Sequence, residues 1–415
     1  MSETAPQTPR PNAVLMVTTG MFVTLVVIVF ARLAFGLIVP PMREGLDLSY
    51  EQAGYLGTIT ALGYLSFVLV GGMAAARWGA RWTVVMGVSA VGLGFLGLSQ
   101  VGTYWHAVPL MAVLGFGTAF SFAPMVSLLA TWYPEKRGLV IGLLTSGVGI
   151  GLLVAGVLVP WLNGLFGEGG WRATWGVFAA TAFVVAFLVA AFVRDPPAAR
   201  LAEGERPPSA DKWAVYTNPR VLTVAVVYGI VGLTYIVQSV FMVSFMVEAG
   251  FEAALAGSLV SVSGIISIGS SPLWGLVSDR MGRGSALMAA MATVTVGMGL
   301  PVFSQTLPAF VAHYVLMGCA VSGMFAMIQA AGTEQVPARY VPIAFSFVTL
   351  FFAGGQLVGP AVAGWLIEYT GDFRAAFGFT CLGLALGVYL TNRIRHFPRE
   401  AAELHPRTKA EQEAC

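Results

Sequence analysis

The chain has 415 residues, 57% of them hydrophobic and only 10% charged, with a formal net charge of +2 and 50 glycines. Soluble domains carry roughly a quarter charged residues, so this composition excludes a water-soluble globular fold, and the net charge is too small to point to a nucleic-acid partner. Its three cysteines, Cys319, Cys381 and Cys415, outline no disulfide framework.

In chain order, residues 1–13 form a polar, Pro-rich tail. Crossing about 30 Å of hydrocarbon takes about twenty apolar residues. Runs of that kind occupy 14–40, 53–76, 82–100, 107–132, 139–163 and 173–193, then 221–247, 255–277, 285–303, 307–331, 341–367 and 373–392. The first run is too long for a signal-peptide core and lacks a small-residue cleavage site. Segment 194–220, rich in Pro and charge, separates the two sets of six, and residues 393–415 form a second polar tail. The expected fold class is therefore an all-α integral membrane protein: twelve transmembrane helices in two pseudo-symmetric bundles, 14–193 and 221–392.

Lys and Arg placement predicts the orientation. With the N-terminus inside, the inner segments hold eighteen positive residues and the outer loops three, Arg43, Arg172 and Arg374. Both termini and the 194–220 linker are thereby expected on the cytoplasmic side of the cell's inner (plasma) membrane. Arg32 belongs to neither side.

Sliding the sequence by 203 residues lays Gly72-Met-Ala-Ala-Ala-Arg77-Trp-Gly79-Ala-Arg81 on Gly275-Leu-Val-Ser-Asp279-Arg280-Met-Gly282-Arg283-Gly284. Pro134 then falls on Pro337, and Gly151 and Gly156 on Gly354 and Gly359. Equivalent features at equivalent places indicate duplication, and transporters built from such repeats hold their substrate near the midplane. The G-x-L-x-D-R-x-G-R pattern, nearly whole at Gly275–Arg283 and degraded at Gly72–Arg81, resembles the loop motif of the major facilitator superfamily. The resemblance spans the chain and implies that Asp279 and Arg280 help lock helix ends on the cytoplasmic side. Ala76 stands where the first copy should carry its Asp. The alternative for Asp279 and Arg280 is a solvated loop ion pair. Glycines of the fifth span (Gly147, Gly151, Gly156) and the eleventh (Gly355, Gly359, Gly364) suit close helix packing, or a hinge.

All twenty Asp and Glu residues lie in loops, tails or helix ends. Any proton coupling must therefore use another group, and His313 in the outer part of the tenth span is the candidate; a structural, hydrogen-bonded His is the alternative. Arg32 lies near the middle of the first span. Its guanidinium stays charged, and burying it costs about 2.5–3.5 kcal/mol or more. A water-filled cavity in which Arg32 meets an anionic substrate accounts for it, with bidentate pairing if that substrate is a carboxylate; bonding to backbone carbonyls at a broken helix is the alternative. Arg32 followed eight residues later by Pro40 is similar to the organophosphate and sugar-acid branch of the superfamily, where that Arg binds phosphate or carboxylate. Trp132-Tyr-Pro-Glu-Lys-Arg-Gly138 and Ser271-Pro-Leu-Trp-Gly275 resemble the oxalate–formate and monocarboxylate transporters, although the Arg those families carry before the Pro is Ser271 here. The 203-residue shift places Tyr235 opposite Arg32, one charge plus one phenol, which suits a monoanion.

Other substrate-site candidates are polar groups at mid-span: Tyr64, Thr118, Ser121, Tyr228, Tyr235, Gln238 and Gln356. Tyr235 and Gln238, three apart, share a helical face. No catalytic, nucleotide-binding or metal-ligand constellation is present, so neither enzyme activity nor a cofactor is expected. Taken with the resemblance, the chain reads as a monomeric secondary transporter of a small organic anion, a monocarboxylate foremost, by proton symport or anion exchange, with membrane lipids as its surroundings. The competing readings are an exporter of hydrophobic compounds and a non-transporting membrane sensor or scaffold.

Overall fold

The computed structural model describes residues 12–133, 137–195, 212–336 and 341–397. Pro134, Lys136 and Pro337, both tails beyond these limits and linker residues 196–211 lie outside them. Among the described residues the secondary structure is helical. Helix α1 (Ala13–Thr24) runs into a π-helical segment, Leu25–Leu33, and then α2 (Phe35–Leu46). The remaining elements of this half are α3 (Tyr50–Trp78), α4 (Ala80–Gln100), α5 (Tyr104–Trp132), α6 (Arg137–Phe166), a 3-10 turn (Gly167–Gly169) and α7 (Gly170–Phe192). The second half holds a short α8 (Lys212–Tyr216), α9 (Pro219–Glu248), α10 (Ala253–Met281), α11 (Arg283–Phe303), α12 (Leu307–Glu334), α13 (Val341–Thr370) and α14 (Phe373–Ile394).

Among the described residues, eleven continuous stretches are long and apolar enough to cross a membrane. One of them, Val140–Phe192, runs 53 residues through α6 and α7. A single crossing takes about twenty, and the 3-10 turn at Gly167–Gly169 divides this stretch into two. The twelve spans read from hydropathy are thereby accounted for. The first continues past Pro40 and Pro41 to Leu46. Membrane helices tolerate Pro because neighbouring groups satisfy the freed carbonyls.

Helix ends follow local chemistry. Asn12 Oδ1 accepts from the Val14 N–H at 3.0 Å, and Asp372 Oδ1 from the Arg374 N–H at 2.7 Å, each capping a first turn. Ser49 and Gln52 form a reciprocal capping box at the start of α3, with both bonds 3.1 Å. Two of the arginines read as outer cap the last carbonyls of other helices: Arg172 donates to Val101 O at 3.0 Å and Arg374 to Val302 O at 2.9 Å.

The chain divides into two compact units, residues 1–46 with 59–203, and 47–58 with 204–415. Their internal packing repeats. In the first, α4 packs on α5 and α7, and α1 on α6; in the second, α11 packs on α12 and α14, and α9 on α13. Glycines mediate the closest crossings. A Cβ at Gly147 would strike Met21 O, and one at Gly151 the Val29 side chain, so α6 lies directly on α1 and the π segment. Gly355 faces Gly229 O, and Gly359 faces Leu233 O, giving the same intimacy between α13 and α9. These contacts give the glycines of the fifth and eleventh spans a packing role. Residues 47–58, which hydropathy placed in the first bundle, group with the second unit. There Tyr50 N–H donates to Glu368 Oε2 at 3.0 Å, and Gly54 packs on Pro360 and Gly364 of α13.

Candidate substrate site

In the first unit the π segment is held on three sides. Thr118 of α5 donates to Val27 O at 2.9 Å, Gly151 of α6 closes on Val29, and Phe30 stacks on Phe178 of α7 with centroids 3.8 Å apart. Leu25, Val26, Val27, Val29, Phe30, Ala31 and Leu33 are buried in consequence. Ile28 and Arg32 are only partly buried and mark the open face of the segment. On that face the Arg32 guanidinium carbon lies 5.3 Å from the ring centroid of Tyr64 on α3, within cation–π range. A π stretch winds its backbone bonds to i+5 rather than i+4, as in Ala34 N–H to Val29 O at 2.7 Å. The wider turn rotates Arg32 relative to its direction in a continuous α-helix. Arg32 and Tyr64, which the sequence offered as separate candidates, are thus neighbours in the structure.

Two further candidates of this half have other partners. Thr118 and Ser121 are fully buried, and Ser121 Oγ donates to Gly117 O at 2.7 Å in its own helix.

In the second unit, Tyr228 stacks on Phe352 with centroids 4.4 Å apart, and Tyr235 meets Phe325 edge-on at 5.2 Å. Phe325 also meets Phe352 at 5.4 Å, and Gln329 donates to the Tyr228 hydroxyl at 2.9 Å. Tyr228 and Tyr235 are thus joined through Phe325 and Phe352 into one aromatic cluster. Sequence reasoning missed Phe325 and Gln329. Phe325 is one of 27 phenylalanines, and Gln329 lies near the end of an apolar run where a polar residue carries no signal.

Gln238 meets a different group: its amide nitrogen lies 3.4 Å from His313 Nε2. His313 Nδ1 is 2.8 Å from Gly297 O, and the side chain is fully buried. A carbonyl can only accept, so Nδ1 carries the proton and Nε2 accepts from Gln238. Both imidazole nitrogens are thus engaged. His313→Phe should therefore orphan Gly297 O and cost about 1–3 kcal/mol, read as a fall in melting temperature of the detergent-solubilised protein. Gln356 is buried on α13.

At the duplicated loops, Gly79 and Gly282 adopt the same backbone, φ +89° and +85° with ψ 146° and 148°. Residues with a Cβ rarely adopt this region, which accounts for the repeated glycine. Around them the polar contacts differ. Arg81 N–H donates to Asp195 Oδ1 at 2.9 Å, and the Arg81 guanidinium also bonds to Ala190 O. Asp195, at the end of α7, thus brings a carboxylate to a loop copy whose position 76 lacks one. In the second copy Arg283 pairs with Glu334 of α12 at 2.6 Å. Arg77, Asp279 and Arg280 are exposed, and a Cβ at Gly72 or Gly275 would meet open space.

The family model described as "Uncharacterised MFS-type transporter YbfB" matches residues 24–392. The chain belongs to the major facilitator superfamily. Human monocarboxylate transporter 11 is 25% identical to it over 83% of this chain and 75% of its own. The hexuronate transporter of Bacillus subtilis (strain 168) is 22% identical over 94% of this chain and 96% of its own. The crystal structure of the nucleoside transporter NupG matches at a TM-score of 0.76, covering 93% of this chain and 99% of that one at 13% identity. At that identity the likeness speaks for the fold alone. As a facilitator-superfamily member the protein is an integral membrane transporter.

Proposed function

We propose that this transporter carries a small organic anion, a monocarboxylate foremost, by alternating access, and that Arg32 is its anion anchor. The single observation that carries the reading is Arg32 at mid-span, on the one open face of an otherwise buried π segment, beside the Tyr64 ring. A permanent guanidinium in that setting is expensive without a function, and its planar fork matches a carboxylate. The names of the monocarboxylate and hexuronate relatives support an acid as the substrate. Tyr235 at the position repeat-related to Arg32 supports one negative charge rather than two. The 18-to-3 distribution of positive residues supports cytoplasmic termini in the plasma membrane. His313, with both ring nitrogens engaged, favours exchange or protonation of the substrate's own carboxyl over a histidine relay.

The aromatic cluster of Tyr228, Tyr235, Phe325 and Phe352 favours a second reading, export of apolar compounds. Uptake of labelled monocarboxylates into proteoliposomes separates the two. Saturable uptake, competed by unlabelled carboxylates and not by hydrophobic dyes, supports the first reading. Dye transport with indifference to carboxylates overturns it.

A further inference from the structure

Thr118 is fully buried on α5 and its hydroxyl has two acceptors within reach, Leu114 O at 2.8 Å and Val27 O at 2.9 Å. The first is ordinary: threonines in these helices commonly donate back one turn, as Thr181 does to Val177 O and Thr293 to Ala289 O. The second crosses to another helix. Val27 is five residues before Arg32, so in π geometry its carbonyl faces the Arg32 N–H. The Thr118 hydroxyl therefore grips the backbone turn that ends in Arg32.

The repeat supplies an internal control. A shift of 203 residues carries Thr118 to Val321, which has no hydroxyl, and Leu25–Leu33 into α9. That helix runs unbroken in α geometry from Pro219 to Glu248. The half with the hydroxyl has the π segment, and the half without it does not.

From this we infer that Thr118 is a positioning residue for Arg32: its hydroxyl bond to Val27 O holds the π turn that aims the guanidinium at the open face beside Tyr64. Without that bond the competing i+4 ladder regains ground, and Arg32 turns with the backbone. The inference rests on the reading of Arg32 as anion anchor. Its effect falls on substrate affinity, since Thr118 itself is buried behind the segment.

The test is carboxylate uptake by proteoliposomes carrying wild type, Thr118→Val, Thr118→Ser and Arg32→Ala. Thr118→Val keeps the shape and removes the donor; it should raise the half-saturation concentration about three- to tenfold, the worth of one hydrogen bond, with the maximal rate within about twofold. Thr118→Ser, which keeps the donor, should match wild type. If the valine variant is not recovered folded, Thr118→Ala makes the same comparison. An unchanged half-saturation concentration in Thr118→Val, a fall confined to its maximal rate, or an equal defect in Thr118→Ser overturns the positioning role. Arg32→Ala tells the two failures apart. Normal transport by that variant removes the anchor reading itself, whereas its inactivity beside an unaffected Thr118→Val removes the positioning role alone.

Discussion

Adding one methyl group at Gly355 will destabilise the transporter severely, while adding it at the neighbouring Gly354 will not. In a helix interior, Gly→Ala on its own is favourable by about 0.5–1 kcal/mol. At Gly354 a new Cβ meets nothing within 4 Å, so that gain should survive as an unchanged or slightly higher melting temperature. At Gly355 the Cβ would drive into Gly229 O and stand 2.7 Å from Leu233 N, both backbone atoms of α9. Neither can swing aside as a side chain would. Separating α9 from α13 would also open the crossings at Gly359 over Leu233 O and Gly232 under Phe352 O. Overpacking costs about 1–3 kcal/mol where side chains can adjust, and sometimes more; Gly355→Ala belongs above that range. Gly355→Val should leave no protein that elutes as a single folded species from size exclusion in detergent. Equal yields and melting temperatures for the 354 and 355 variants would contradict the packing described for α9 and α13.

Arg32→Ala will reduce the apparent second-order rate of carboxylate uptake by about 1.4 to 3.6 orders of magnitude. Removing one partner of a buried, hydrogen-bonded charge pair costs about 2–5 kcal/mol, and each 1.4 kcal/mol is about tenfold. The loss should lie mainly in the half-saturation concentration, because the contact is formed in the bound state. Arg32→Lys retains the charge without the planar fork and should fall between the two. Initial-rate uptake over a range of substrate concentrations, normalised to folded protein, measures both effects.

Much of this architecture was legible because lipid imposes a coarse requirement. Runs of about twenty apolar residues must be helices there, and short polar loops between them cannot hide. The duplicated Gly79 and Gly282 were equally plain, since a left-handed backbone restricts the residue to one type. What escaped were features that hydropathy does not encode. Leu25–Leu33 is as apolar in π geometry as in α, so nothing in its composition announced the wider turn that aims Arg32. Thr118 and Gln238 read as cavity-lining because polar groups at mid-span need partners. Their partners are the Val27 carbonyl and the His313 ring, 91 and 75 residues away in the chain. Asp195 reaches the first loop copy across 114 residues, a substitution for the missing acid that no local motif could register.

The central claim is that Arg32 recognises the carboxylate of the substrate. Thermal unfolding of the purified protein against a panel of small monocarboxylates, compared between wild type and Arg32→Ala, tests it without any assumption about direction or coupling, because a ligand that binds the folded state raises its melting temperature. The account predicts at least one acid that stabilises wild type in a concentration-dependent way and leaves Arg32→Ala unshifted. The same acid stabilising both proteins equally would contradict it.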